Sequence, residues 1–291
     1  MQVISTSAAL GADITDIDLA QDLDTGTIDA IKAAWSARLV LRIRGQRLND
    51  EELLRFSRHF GALDKAPINP YGTTWVPEHP EINVISNILD DEGKRIGGLG
   101  DGEAKWHADM TYVDTPVRAC TLYAIEIPES GGDTGFANMF AAYDALSEDL
   151  KTRLNGLQCK HDASRNSTGQ LRNGFEANYT DVSQVPGAIH PLVRVDPDTG
   201  RKALYLGRRA NAYVMGMAVD ESETLLDQLW THAASPEFTW TQQWRVGDLI
   251  MWDNRYCLHR RDAFDADTRR HMRRTQIGGD QPVAAVAAGV A

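Results

Sequence analysis

The sequence predicts a mostly β domain, a sandwich or barrel with helices packed outside it. Three observations carry this. Short runs of β-branched and aromatic residues, separated by turn residues, dominate the middle and C-terminal part of the chain. Helical spacing is confined to the N-terminal part and to connections. No repeat, low-complexity block or Pro/Gly/Ser linker divides the 291 residues, so residues 1–291 read as one domain with ordinary composition, 42% hydrophobic and 24% charged.

Taken in order, residues 24–37 carry Ile28, Ile31 and Trp35 at helical spacing, and residues 39–43 then read as a strand. Asn49 with Glu52 is a capping signature ahead of Leu53, Leu54 and Phe56, and Gly61 ends that helix. Four prolines make residues 64–80 a loop, and residues 82–88 a short strand follows. Residues 90–103 are polar and hold five glycines; the stretch to about 106 is predicted as a lid loop. Strands are expected over 106–112, 119–127 and 134–139, with a Gly131-Gly132-Asp133 turn before the last. Residues 141–157 look helical, restarting at Ser147, and 166–187 carry no pattern. A hairpin joins 191–195 to 203–206, and Asp220 with Glu223 is read as the cap of a helix reaching His232. Strands follow over 238–246, 249–252 and 257–260, the last two flanking a tight Asp253-Asn254 turn, and then 270–278. The Ala/Val/Gly tail, residues 283–291, is expected to be frayed.

The net charge of −11 argues against nucleic-acid binding, and no apolar run reaches the length of a membrane span. Residues 1–10 lack the pattern of a signal peptide. Cys120, Cys159 and Cys257 form neither a zinc pattern nor a disulfide framework, so a cytoplasmic setting is expected. The oligomeric state is left open, a homo-oligomer included.

The chemistry centres on Trp106-His107-Ala108-Asp109. In a strand, alternate side chains share a face, so His107 and Asp109 could converge on one metal ion. His259, in a second predicted strand, could complete a two-histidine, one-carboxylate set with open positions, the arrangement of non-haem Fe(II) oxygenases. On spacing alone a packed histidine is an equal reading of His107. A competing His79-Pro80-Glu81 pattern is poor, because its proline disfavours a central strand. His59, His161, His190, His232 and His271 read as structural. Beyond His259, the strand period places Arg270, Met272 and Arg274 on one face and Arg269, His271 and Arg273 on the other. Guanidinium groups on an interior face call for anions, and arginine suits carboxylates. These residues leave open an iron oxygenase, a zinc hydrolase and a small-acid binder without turnover.

The motifs, in order over most of the chain, resemble those of the taurine dioxygenase family of Fe(II)- and 2-oxoglutarate-dependent enzymes, which includes 2,4-dichlorophenoxyacetate dioxygenases. They are Trp106-His107-Ala108-Asp109, Pro128-Glu129-Ser130-Gly131-Gly132-Asp133-Thr134, Ala141-Ala142-Tyr143-Asp144-Ala145-Leu146, His190-Pro191-Leu192-Val193, Gly200-Arg201-Lys202, and Trp252-Asp253-Asn254-Arg255 leading to His259 and the arginines. The resemblance implies a double-stranded β-helix (jelly-roll) core. It implies His107, Asp109 and His259 as iron ligands, Thr134 and Arg270 on the distal carboxylate of 2-oxoglutarate, and Arg274 near the acidic group of the primary substrate. Fe(II), 2-oxoglutarate and O2 are the implied cofactor and cosubstrates, with succinate and CO2 released.

The expected partner is a small anionic organic molecule. The loop Phe60-Gly61-Ala62-Leu63-Asp64-Lys65-Ala66-Pro67 lacks the histidine that binds sulfonate in taurine dioxygenases. Leu206-Gly207-Arg208-Arg209-Ala210-Asn211-Ala212 and Leu258-His259-Arg260-Arg261 look closer to the aryloxyalkanoate-cleaving members. An aryloxyalkanoate carboxylate is therefore the leading expectation, with ether cleavage, and Met110 and Tyr112 as walls of an aryl pocket. An alkylsulfonate, alkyl sulfate or other small acid is the runner-up.

Overall fold

A computed structural model describes residues 1–99, 102–166, 169–172, 174–175, 179 and 181–285. In chain order its main elements are β1 (Gln2–Ser5), β2 (Ala12–Thr15), α1 (Thr25–Arg38), β3 (Val40–Ile43), α2 (Asp50–Arg58), β4 (Asn83–Ser86), β5 (Gly98–Leu99) and β6 (Ala104–His107). Then come β7 (Ala119–Glu126), β8 (Thr134–Asn138), α3 (Met139–Asp144), α4 (Glu148–Leu154), β9 (Gln158–Lys160), β10 (Ile189–Pro191), β11 (Val193–Val195), β12 (Lys202–Leu204) and β13 (Tyr213–Val214). The chain finishes with α5 (Val219–Ala233), β14 (Thr239–Gln242), β15 (Leu249–Asp253), β16 (Cys257–Arg261) and β17 (His271–Ile277).

Local chemistry sets the early helices. The Asp24 carboxylate accepts from the Thr27 N–H at 2.8 Å and starts α1. Leu39 ends it at φ 66°, an uncommon conformation for a leucine, with its N–H on the Trp35 carbonyl. In α2 the capping box is complete: Asn49 accepts from the Glu52 N–H, and Glu52 accepts from the Asn49 N–H.

Two sheets build the jelly-roll core. The larger runs β1-β2-β3-β15-β7-β17-β4-β5 and the smaller β14-β8-β16-β6. The period of two divides the larger sheet's side chains cleanly. From β7 and β15, Cys120, Leu122, Ala124, Ile250 and Trp252 join Phe136 of the smaller sheet in the inter-sheet core. Tyr123, Leu249 and Met251 pack instead with Ile28, Ile31, Leu53 and Phe56 of α1 and α2. Burying each such aliphatic side chain stabilises the fold by about 1.5–3 kcal/mol. The active-site residues described below lie in the inter-sheet layer.

Two expectations need correction. The predicted strand 106–112 stops at His107, because a turn begins at Asp109 and Met110 adopts φ 57°. The cap of α5 is Ala218 without a side-chain bond; Asp220 and Glu221 instead lie in the first turn, where they oppose the helix dipole. Local bonds shape the segment 90–106: the Asp90 N–H bonds the Lys94 carbonyl, Leu89 bridges Arg95, and β5 pairs with β4. Its residues 100 and 101 lie outside the described residues. Toward the C-terminus, Val195 donates to the Val283 carbonyl and Ala285 to that of Val193, adding a strand-like edge to β11. Residues 286–291 lie outside the described residues.

Candidate active site

β6 and β16 are antiparallel neighbours, and His107 and His259 are register partners. Side chains of partners emerge on the same face, so the two imidazoles meet with ring centroids 4.1 Å apart. Asp109 arrives from the turn rather than from the strand. Asn254 fixes its backbone: the amide oxygen accepts from the Asp109 N–H at 2.8 Å, and the amide nitrogen donates to the carbonyls of Asp109 and Val117 at 2.9 and 3.0 Å. The carboxylate then spans the two rings, 3.7 Å from His107 Nε2 and 3.6 Å from His259 Nε2.

These three groups fit a metal ion. Their ligand atoms lie within 4.8 Å of one another, and all three residues are buried. His107 Nδ1 is 2.7 Å from the Lys105 carbonyl, which fixes the proton there and leaves the Nε2 lone pair aimed at the cluster. Burial opposes the charged form of Asp109, yet Arg274 at 3.1 Å and the two imidazoles outweigh it and hold its pKa well below the usual range. Burial and the neighbouring His107 hold His259 neutral. A carboxylate and a neutral imidazole are the protonation states that bind metal.

A cavity of about 60 Å³ opens beside the cluster, bounded by His107, His259, Thr134, Arg270 and Arg274. The hydroxyl of Thr134 accepts from the Trp244 indole at 3.0 Å. Arg270 is 2% exposed, and its Nε has no hydrogen-bond partner among the described residues. Burial, with repulsion from Arg261, lowers its pKa to about 9 against the pull of Asp133; a guanidinium remains charged at neutral pH. The Gly131-Gly132 turn permits this packing. Both glycines have positive φ, and a Cβ on Gly131 would fall 2.7 Å from the Ala263 carbonyl oxygen.

The predicted division of the arginine strand holds, despite a bulge between His271 and Met272. Arg269 pairs outward with Glu126 at 2.7 Å and Arg273 with Asp50 at 3.1 Å. Arg270, Met272 and Arg274 point inward. The histidines read as structural behave so where their partners are defined: His190 Nε2 bonds the Val113 carbonyl and His232 Nε2 that of Ala142.

Met110 and Tyr112 do not line the cavity beside the cluster. The Tyr112 hydroxyl donates to Met110 Sδ at 2.9 Å, and its ring lies against Arg172 and Arg208, 4.2 and 5.2 Å from the ring centre. Sequence reasoning assigned no role to Asn254, Trp244 or Arg208 individually. Asn254 and Arg208 stand within motifs that were legible, but their functions depend on contacts across the fold.

Comparison with known proteins agrees with this geometry. The family model described as taurine catabolism dioxygenase TauD, TfdA family matches residues 3–276. The chain is 35% identical to the (S)-phenoxypropionate/alpha-ketoglutarate-dioxygenase of Sphingobium herbicidovorans, covering 94% of this chain and 93% of that one. It is 36% identical to the alpha-ketoglutarate-dependent 2,4-dichlorophenoxyacetate dioxygenase of Cupriavidus pinatubonensis, covering 94% and 96%. Among solved structures, AAD-2 in complex with Mn(II) and N-oxalylglycine superposes with a TM-score of 0.78 at 30% identity, over 97% of this chain and 99% of that one. The chain belongs to the TauD, TfdA family and is a 2-oxoglutarate-dependent non-haem iron dioxygenase, with Fe(II) as cofactor and 2-oxoglutarate and O2 as cosubstrates.

Proposed function

We propose that the enzyme hydroxylates an aryloxyalkanoate-type carboxylate at the carbon beside its ether oxygen. The resulting hemiacetal collapses to a phenol and an oxo acid. The observation that carries the reaction class is the buried His107–Asp109–His259 cluster with two inward guanidinium groups from one strand, Arg270 and Arg274, beside it. The named activities of the two similar dioxygenases support the substrate class.

In this reading His107, Asp109 and His259 hold Fe(II). Thr134 and Arg270 receive the distal carboxylate of 2-oxoglutarate, a bidentate match for a guanidinium. Arg274 borders the primary substrate. Iron with 2-oxoglutarate and O2 supplies the oxidising power, releasing succinate and CO2. The chain supplies position and dryness: Ile85, Leu122 and Trp252 wall the cavity with apolar surface, which excludes competing water. The 90–106 segment serves as the cover, held at Gly102 by a hydrogen bond from Arg261 to its carbonyl. The three buried, free cysteines support a reducing, cytoplasmic setting. No described helix is long and apolar enough to cross a membrane.

The test is a panel of phenoxyacetate, both phenoxypropionate enantiomers, an alkyl sulfate and an alkylsulfonate, with succinate followed in each. Succinate and a phenol in equal amounts are expected from an aryloxy acid. Turnover confined to the sulfur acids, with sulfate or sulfite released and no phenol, would overturn the substrate reading.

A further inference from the structure

We propose that Trp244 is a positioning residue for the 2-oxo acid: its indole N–H sets the Thr134 hydroxyl as a donor, and so makes the enzyme select dicarboxylic over monocarboxylic 2-oxo acids. This rests on the reading above that places the distal carboxylate at Thr134 and Arg270.

An indole N–H can only donate, and a hydroxyl carries a single proton. Trp244 Nε1 lies 3.0 Å from Thr134 Oγ1, so that oxygen is the acceptor and its own proton must point elsewhere. The Thr134 side chain makes no other hydrogen bond among the described residues. Arg270 faces the same small cavity, and a guanidinium also only donates. Its Nε is buried and unpartnered among the described residues. Thr134 and Arg270 therefore both offer donors to that space. An ionised carboxylate, which only accepts, answers both; a neutral chain end leaves both unpaired.

The fold holds Trp244 in this place from both sides. β14 pairs with β8 so that Gln242 is the register partner of Thr134, two residues before Trp244. Past Trp244 the buried Asp248 gathers the chain. One of its carboxylate oxygens accepts from Gln242 Nε2 at 2.7 Å, from the Arg245 N–H at 3.0 Å and from Arg44 at 2.7 Å. Trp244 thus sits between two anchored residues, Gln242 and Arg245. It also shields the hydroxyl. Trp244 and Arg270 line a second cavity of about 460 Å³, whose walls include exposed Glu129, Gln243 and Arg245. Thr134 lines the metal-side cavity and not this one. The indole stands between the outer space and the hydroxyl, where a water would otherwise compete for the proton.

The experiment uses Mn(II)-loaded protein and two ligands titrated calorimetrically. N-oxalylglycine carries the chelating end and the distal carboxylate; oxamate carries the chelating end alone. Trp244→Phe keeps an aromatic ring in the wall and removes the N–H. It is expected to weaken N-oxalylglycine binding by roughly 3- to 10-fold, the worth of one hydrogen bond. Oxamate binding should stay as in the wild type, which also shows that the variant is folded and holds its metal. In a Thr134→Val background the same Trp244→Phe change should cost nothing more, because the hydroxyl through which it acts is gone. Wild-type affinity of Trp244→Phe for N-oxalylglycine would overturn the proposal, as would an equal loss for both ligands or additive losses in the double variant. Thr134→Val and Arg270→Met separate the proposal from the reading beneath it. If both weaken N-oxalylglycine and Trp244→Phe does not, Trp244 alone loses its role. If neither does, the distal carboxylate lies elsewhere and both fall.

Discussion

Asp109→Ala is expected to reduce succinate release to background, measured with saturating Fe(II), 2-oxoglutarate and primary substrate. The carboxylate is one of three metal-facing groups, so its loss leaves two imidazoles to hold the ion. The substitution also strands Arg274, whose guanidinium lies 3.1 Å from the carboxylate in a buried setting. Breaking a buried pair by removing one partner typically costs about 3–5 kcal/mol. The metal-free variant should therefore also melt well below the metal-free wild type. This pairs two readouts that a remote structural substitution would not combine. Succinate formation at the wild-type rate would remove Asp109 from the metal site.

Arg270→Met is expected to act in the opposite way on stability. Arg270 is buried with its Nε unpaired among the described residues, so the unliganded protein bears the desolvation of a charge that its ligand would offset. Methionine keeps much of the side chain's length and apolar packing. Unliganded Arg270→Met should melt at or above the wild-type temperature. Its KM for 2-oxoglutarate should rise roughly 100-fold, the scale expected for truncating one side of a buried charge pair. The KM for the primary substrate, taken at saturating 2-oxoglutarate, should be little changed. An unaltered 2-oxoglutarate KM would move the distal carboxylate to another cation.

What was legible in the sequence divides by range. Helix starts that depend on neighbours four residues or fewer away were read correctly at Asp24 and at Asn49 with Glu52. The inward set Arg270, Met272 and Arg274 was legible because the strand period survives the bulge before Met272. His107, Asp109 and His259 were identified as residues, but the route by which Asp109 arrives was not. The period-two argument put it on the strand, whereas the chain turns at Asp109 with Met110 in a positive-φ conformation that methionine does not advertise. The clamp on that turn comes from Asn254, legible only as a turn residue until Asp109 and Val117 are brought beside it. Arg208 likewise read as part of a loop motif; its bridge to His107 is long-range. The pairing of Val283 and Ala285 with β11 is likewise long-range and leaves no mark in the local sequence.

The central claim is that His107, Asp109 and His259 hold Fe(II) with room for a chelating 2-oxo acid. The most direct measurement is the visible spectrum of the anaerobic protein with Fe(II), before and after 2-oxoglutarate is added. A weak metal-to-ligand charge-transfer band should appear on addition, be absent in Asp109→Ala, and shift when the primary substrate binds. No band in the wild type, with turnover retained when zinc replaces iron, would contradict the account and favour a hydrolase.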